Sequence, residues 1–237
     1  AGLAAVRPGK EVHCQYLRRG GWRDVIVESA LVDLYAKCGC VDFAFRIFSQ
    51  MPVRNLITWN SMISGFAQNG RGGEAIKMFN EMIKLGVKPD RISFVSVLFA
   101  CSHSGLLDQG RQYFVSMKDN YGIKAEISHY SCMVDLLGRA GKIEDAEDLI
   151  NSSEFRNDSS LWAALLGSCT TGTDPTVAER IAKKMMELKP DYHLSYVLLA
   201  NVYREIGRWN DALELRRQMQ DKKVNKMPGM SWVETNS

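Results

Sequence analysis

Five segments of this 237-residue chain align with one another without a gap: YAKCGCVDFAFRIFSQM from Tyr35, FAQNGRGGEAIKMFNEM from Phe66, CSHSGLLDQGRQYFVSM from Cys101, LGRAGKIEDAEDLINSS from Leu137 and YREIGRWNDALELRRQM from Tyr203. Their fifth position is always glycine: Gly39, Gly70, Gly105, Gly141 and Gly207. Five residues later stands a small residue, Ala44, Ala75, Gly110, Ala146 or Ala212. Twelve residues after the glycine stands Met51, Met82, Met117 or Met219, with Ser153 in the remaining case. With Gly172 as the loop glycine of a sixth unit, successive glycines lie 31, 35, 36, 31 and 35 residues apart. Self-similarity at such a period means a tandem array of supersecondary units, which limits the fold more than any local propensity does.

Each unit reads as two helices. Ahead of the glycine, apolar residues fall at helical spacing, as in Trp59, Met62, Ile63 and Phe66; after it they do so again, as in Ala75, Ile76, Phe79 and Met82. The glycine can adopt the left-handed conformation that closes a helix, and the small residue after it lets the two helices approach. One hairpin of this size cannot bury its apolar face alone, whereas stacked neighbours can. The expected fold is therefore all-α, a solenoid of tandem helix-turn-helix repeats with a continuous core. The methionine and phenylalanine stripes are then core and not the lining of a cofactor site. The chain opens inside a unit, since GKEVHCQYL at Gly9 parallels GRQYFVSM at Gly110. We therefore expect a piece of a longer chain or a first unit capped elsewhere. Either leaves apolar surface at the solenoid end, a surface through which a homodimer would form.

Composition narrows the function. With 46% hydrophobic and 24% charged residues, this is an ordinary foldable chain, long enough for one elongated array or two small domains. A net charge of +3 argues neither for nor against a nucleic-acid partner. No run approaches 18 apolar residues, and no basic segment followed by an apolar one opens the chain, so neither a membrane span nor a signal peptide is expected. The cysteines, Cys14, Cys38, Cys40, Cys101, Cys132 and Cys169, lie inside apolar helical patterns and include no Cys-x-x-Cys. They read as buried or half-buried thiols in a reducing compartment, and Cys38-Gly39-Cys40 alone is too little for zinc. Arg18, Arg19 and Arg23 near the start, and Lys222, Lys223 and Lys226 near the end, read as solvated helix ends before a phosphate track.

The tetratricopeptide repeat shares the helical hairpin, the Ala-x-x-x-Phe pattern (Ala75 to Phe79) and the late proline, but keeps a steadier 34-residue period. This chain instead resembles the pentatricopeptide repeat family. Leu56 to Asp90 looks like the standard 35-residue P motif, opening with Thr58-Trp59-Asn60 and closing with Gly86-Val87-Lys88-Pro89-Asp90. Val25 to Asn55, with ALVDLYAKCG, looks like the short S motif, and Arg91 to Glu126, with VLFACSHSGLLDQG, like the long L motif. Ile127 to Asp158, with HYSCMVDLLGRAGKIEDA, looks like a terminal S motif, and residues 1–24 like part of an L motif. Such alternation marks the plant subclass that specifies RNA editing sites. Ser159 to Gly229 looks like the paired E-type extension motifs, through LLGSC at Leu165 and YVLLANVYREIGRWNDA at Tyr196. PGMSWVE, Pro228 to Glu234, matches the tail that follows, so residues 230–237 would begin a truncated C-terminal tail. CTTGTDPTVAERIA from Cys169 departs by an extra residue near Gly172. The resemblance implies a right-handed α-solenoid.

In that family the fifth and last residues of a repeat jointly read one RNA base, one base per repeat. The resemblance gives this role to Ser29 with Asn55, Asn60 with Asp90, Val95 with Glu126, and Ser131 with Asp158. An ionised Asp only accepts hydrogen bonds and suits the imino N–H of guanine or uracil; Asn donates and suits the bare ring nitrogen of adenine or cytosine. A fifth-position Ser leaves room for a purine, and the longer Asn fits a pyrimidine. Three pairs then read A, U and G; Val95 with Glu126 stays unspecified. The expected core is 5′-A-U-N-G-3′, its G four nucleotides upstream of the edited cytidine. Second-position residues Ile26, Ile57, Ile92 and Ser128 would sandwich the bases, Ser128 breaking the aliphatic pattern. A plainer reading stands beside this one: Asp90 after Pro89 caps the next helix, and Asn60 and Ser131 are solvated positions in a first turn.

No catalytic residue is expected. Some relatives carry a C-terminal deaminase, whose zinc chemistry needs His-x-Glu and Cys-x-x-Cys. None of His13, His103, His129 and His193 is followed two residues on by Glu. The chain is thus expected to be no enzyme, to hold no metal and to use no cofactor, its histidines being structural or surface residues. The resemblance implies a protein that binds single-stranded RNA and selects sites for C-to-U editing in a mitochondrion or chloroplast. Residues 159–237 would dock editing cofactor proteins and a deaminase supplied in trans, since Ala163 and Tyr196, near the fifth positions there, are poor base readers. The alternative is a tetratricopeptide-like protein-interaction scaffold with no RNA specificity of its own.

Overall fold

The computed structural model describes residues 6–18, 24–169, 174–222 and 224. The readings placed on Arg19, Arg23, the 170–173 loop with Gly172, Lys223, Lys226 and the PGMSWVE tail lie outside the described residues. Thirteen helices follow one another among those described: α1 (Val6–Arg18), α2 (Val25–Lys37), α3 (Val41–Gln50), α4 (Leu56–Gln68), α5 (Gly72–Lys84), α6 (Arg91–Ser104), α7 (Leu107–Asp119), α8 (Ile127–Arg139), α9 (Ile143–Ser152), α10 (Ser159–Ser168), α11 (Pro175–Leu188), α12 (His193–Glu205) and α13 (Trp209–Asp221). None is long and apolar enough to cross a membrane.

The recurring glycines close the first helix of each hairpin. Gly39, Gly70, Gly105, Gly141 and Gly207 have φ of 81, 74, 66, 72 and 79°, where a side chain would be strained. After α2 the Gly39 N–H donates to the Ala36 carbonyl and the Cys40 N–H to the Tyr35 carbonyl, a Schellman closure. The same two bonds recur at Gly70 and Arg71, at Gly141 and Lys142, and at Gly207 and Arg208.

The described residues form two compact units, one of residues 6–104 and 112–124, the other of 105–111 and 125–224. In the first, α2, α4 and α6 stack in series while α3 and α5 pack beside them. Trp59, Met62, Ile63 and Phe66 of α4 are buried, as are Ala75, Phe79 and Met82 of α5 and Phe94, Val97 and Leu98 of α6. Trp59 meets Phe48 edge to face at 4.9 Å, and Phe79 meets Phe94 at 5.4 Å. A Cβ on Gly65 would lie 2.6 Å from that of Ala36, so α4 and α2 approach only because both residues are small. In the second unit α8, α10 and α12 form the series, with α9, α11 and α13 beside them. Its core includes Val134, Leu137, Leu161, Trp162, Leu165, Ile181 and Tyr196.

One expectation about the cysteines needs correction. Cys101 and Cys169 are buried, and burial pushes the Cys101 thiol up to about 12. Cys38, Cys40 and Cys132 are half-buried as expected, but Cys38 and Cys40 sit in the turn between α2 and α3 and not in a helix, and Cys14 is exposed. Cys14 lies about 140° around α1 from Gly9, and Gly9 is the residue that faces Leu34 of α2.

Candidate nucleic-acid interface

The predicted site residues cluster at the first turns of α2, α4, α6 and α8. These turns are capped by the residues that close the preceding repeats. Asn55 Oδ1 accepts the Thr58 N–H at 2.9 Å, and Asp90 Oδ1 accepts the Ser93 N–H at 2.9 Å. Glu126 forms a reciprocal box with His129, whose Nδ1 accepts the Glu126 N–H at 3.1 Å. Asp158 Oδ1 accepts the Ser160 N–H at 2.8 Å at the start of α10. The plainer reading of Asp90 as a cap is thus correct, and Asn55, Glu126 and Asp158 cap their helices as well.

The cap does not consume the whole side chain at Asp90. Asn60, 30 residues earlier, donates from Nδ2 to Asp90 Oδ1 at 3.0 Å. The Ser93 hydroxyl lies 2.6 Å from Asn60 Oδ1 and 2.9 Å from Asp90 Oδ1, its one proton serving either. Its oxygen accepts the Asp90 N–H at 3.1 Å. Asn60 is only 7% exposed, which overturns its reading as a solvated position. Burial pushes the Asp90 carboxyl up, but the Ser93 N–H, the Asn60 amide, the Ser93 hydroxyl and the Ile92 N–H outweigh it. The carboxyl therefore sits below its usual value.

The preceding pair is linked through an intermediary. The Ser29 hydroxyl lies 2.6 Å from both the Val25 carbonyl and Thr58 Oγ1, its one proton serving either. Thr58 in turn donates to Asn55 Oδ1 at 2.9 Å. Thr58 and Ser93 hold the same place, third in their helices, and both are fully buried. Sequence reasoning passed over them. Its one available signal was a polar residue third in three successive units, Thr58, Ser93 and His129. The second-position isoleucines are conspicuous for the opposite reason: Ile26, Ile57 and Ile92 are 73%, 66% and 59% exposed.

The later positions differ. Val95 is half-buried on α6 in the first unit, and Glu126 is exposed in the second. Ser128 and Ser131 are half-buried on α8. Asp158 binds the hydroxyl of Ser160 at 2.7 Å as well as its N–H, and the third residue of α10 is the fully buried Leu161. Ala163 is fifth in α10. Counted from His193, the fifth residue of α12 is Val197, next to Tyr196. Tyr196 is buried, and its hydroxyl accepts from the Lys222 ammonium at 3.2 Å.

Several basic side chains are already engaged by acids. Arg71 pairs with Asp42 and Glu74, Arg111 with Asp145 at 2.5 Å, Arg180 with Glu147 at 2.8 Å and Arg208 with Glu179 at 2.8 Å. Among the described residues no three of His, Cys, Asp or Glu converge to hold a metal ion.

Comparison with known proteins bears on the family and the fold. Models of the PPR repeat match residues 29–56, 92–121 and 128–154, a PPR repeat family model matches 54–103, and an E motif model matches 173–234. A pentatricopeptide repeat-containing protein of Arabidopsis thaliana is 59% identical over 237 residues, all of this chain and 39% of that protein. A second, named as mitochondrial, is 46% identical over 99% of this chain and 37% of its own length. A third, named as chloroplastic, is 43% identical over 99% of this chain and 26% of its own length. The chain thus spans well under half the length of the curated relatives it matches. The crystal structure of the maize pentatricopeptide repeat protein PPR10 superposes with a TM-score of 0.74 at 23% identity, covering 93% of this chain and 34% of PPR10. PPR10 in complex with an 18-nt psaJ RNA element superposes at 0.58 with 21% identity, covering 94% of this chain and 33% of PPR10. The fold is that α-solenoid, and the chain belongs to the pentatricopeptide repeat family, as a member whose repeats are followed by an E motif.

Proposed function

We propose that the first turns of α2, α4 and α6 in the first unit, and that of α8 in the second, each read a base of single-stranded RNA, and that this chain belongs to a factor selecting sites for C-to-U editing in a plant organelle. The observation that carries the reading is the Asn60–Asp90–Ser93 network, with Asn60 and Ser93 buried and Asp90 half-buried, beside Ile57 and Ile92 exposed in the same first turns. Capping and base reading are then one arrangement. The cap and the Asn60 amide occupy Asp90 Oδ1, and the other carboxylate oxygen keeps acceptor capacity for the imino N–H of uracil. Asn60 gives one Nδ2 hydrogen to Asp90 and keeps a second for a uracil carbonyl. Cytosine would set its bare ring nitrogen against the carboxylate. At Asn55 the cap occupies Oδ1, which leaves the amide nitrogen to donate to adenine. Ser131 with Asp158 reads G, and Val95 with Glu126 leaves its base unspecified, so the core is 5′-A-U-N-G-3′. The exposed Ile26, Ile57 and Ile92 supply apolar faces for the bases, with Ser128 a weaker one.

The repeat units run 25–55, 56–90, 91–126 and 127–158, and the E-type region from Ser159 docks editing cofactor proteins and a deaminase. The buried Tyr196 and the apolar Ala163 favour protein docking over base reading there. That PPR10 was solved with RNA, and that relatives are named as mitochondrial and chloroplastic, supports the assignment. The test is binding of short RNAs containing A-U-N-G at two salt concentrations, with Asn60→Ser beside wild type. The variant should prefer G over U at the second base by about tenfold, the scale of a lost or gained polar contact, with a similar salt slope. Binding without base preference would make the chain a protein-docking scaffold.

A further inference from the structure

We infer that Thr58 and Ser93 are positioning residues that set the base specificity of the repeat before their own, without touching RNA. The inference rests on the base-reading proposal above. A reading side chain is useful only if its donor and acceptor ends are told apart. Asn is the ambiguous case, since its amide can rotate to exchange oxygen for nitrogen at nearly equal shape. In this structure the ambiguity is removed from beneath. The Ser93 hydroxyl holds Asn60 Oδ1 at 2.6 Å while Asp90 holds Nδ2 at 3.0 Å. A reversed amide would place its oxygen against the carboxylate and its nitrogen near the Ser93 hydroxyl. At the earlier pair, Asn55 Oδ1 takes both the N–H and the hydroxyl of Thr58, each at 2.9 Å, which turns the amide nitrogen away from the helix. The same Thr58 hydroxyl lies 2.6 Å from Ser29, so one atom registers the fifth residue of a repeat against its last.

Both hydroxyls are fully buried, so neither reaches a bound base. Their effect passes through Asn60, Asp90, Ser29 and Asn55. The series also changes along the chain: the third place is Thr58, then Ser93, then His129 in a reciprocal box with Glu126, then the apolar Leu161. The lock on the reading pair is therefore built into the first two pairs and is absent from the Leu161 side chain.

The experiment measures relative affinity for RNAs varied at the first base alone and at the second base alone. It uses the whole chain as wild type, Thr58→Ala, Ser93→Ala, Thr58→Ser and Ser93→Thr. Each hydroxyl-to-alanine change should lower one preference about threefold to tenfold, the range of one buried hydrogen bond. Ser93→Ala should relax U over C at the second base and leave A at the first unchanged. Thr58→Ala should relax A over G at the first base and leave U at the second unchanged. Thr58→Ser and Ser93→Thr keep the hydroxyl and should restore the preferences; each residue already occupies the equivalent site one repeat away. Equal weakening for all RNAs with unchanged ratios would make the hydroxyls structural only and overturn the inference. So would wild-type preferences that survive both alanine changes. A wild type with no preference at either base would overturn the base-reading proposal and this inference together.

Discussion

The first turn of α4 and the first turn of α10 occupy equivalent places in their hairpins and differ in polarity. Both put tryptophan fourth: Trp59 packs edge to face on Phe48, and Trp162 donates its indole N–H to the Arg156 carbonyl at 3.1 Å. The residues on either side diverge. Around Trp59 stand Thr58 and Asn60, both buried and both in hydrogen-bond networks that cross to a neighbouring repeat. Around Trp162 stand Leu161, fully buried, and Ala163, which carries no polar group. The apolar anchor is thus shared, while the residues beside it are polar around Trp59 and apolar around Trp162. A buried polar side chain is tolerated only where its partners are in place. The flanks of Trp59 meet that condition through residues 29 to 33 positions away.

The largest test of this comparison strikes what the regions share. Trp59→Ala and Trp162→Ala should each lower unfolding free energy by about 3–5 kcal/mol, as expected for a buried aromatic cut to alanine. Denaturant titration would show it, and a loss under 1 kcal/mol at either would end the claim of a common anchor. The next test strikes the difference. Asn60→Ala strips partners from Asp90 and Ser93 and should lower stability by about 1–3 kcal/mol. Ala163→Ser, at the equivalent place, should change it by no more than about 0.5 kcal/mol. Equal effects would erase the distinction between a networked and an apolar flank.

Acidity sharpens the comparison further. The Asp90 carboxyl is held below its usual value in the folded chain, so its contribution is complete above the unfolded carboxyl range and is lost as pH falls through the lowered folded value. Stability of the wild type should therefore fall more steeply below about pH 4 than that of Asp90→Asn. U preference should decline over the same window, because a protonated Asp90 no longer only accepts. Parallel stability curves for the two proteins would contradict the role given to the network. The smallest effect belongs to the exposed ion pairs on the second helices. Arg111→Ala and Arg180→Ala should each change stability by no more than about 1 kcal/mol and should lose that effect in high salt.

Much of this was legible in the sequence. The glycine columns located the hairpin turns, and Gly39, Gly70, Gly105, Gly141 and Gly207 all have the left-handed backbone those columns implied. The apolar spacing around Trp59 and Phe79 named core residues. The family register named Asn60 and Asp90 as partners. It did not show whether Asp90 would cap a helix or face a partner. Nor did it reveal the role of Thr58 and Ser93, because a polar residue recurring third in successive units does not say which partners it meets once buried.

The division has a physical basis. Helix, turn and repeat depend on residues within a few positions of one another, so the sequence alone determined the all-α hairpin array, its loop glycines and its repeat family. Hydrogen bonds between repeats depend on how closely successive first helices stack, and the small Gly65 facing Ala36 permits that approach between α2 and α4. Only the tertiary structure brought Asn60 onto Asp90, placed Ser93 beneath both and left Ile26, Ile57 and Ile92 exposed.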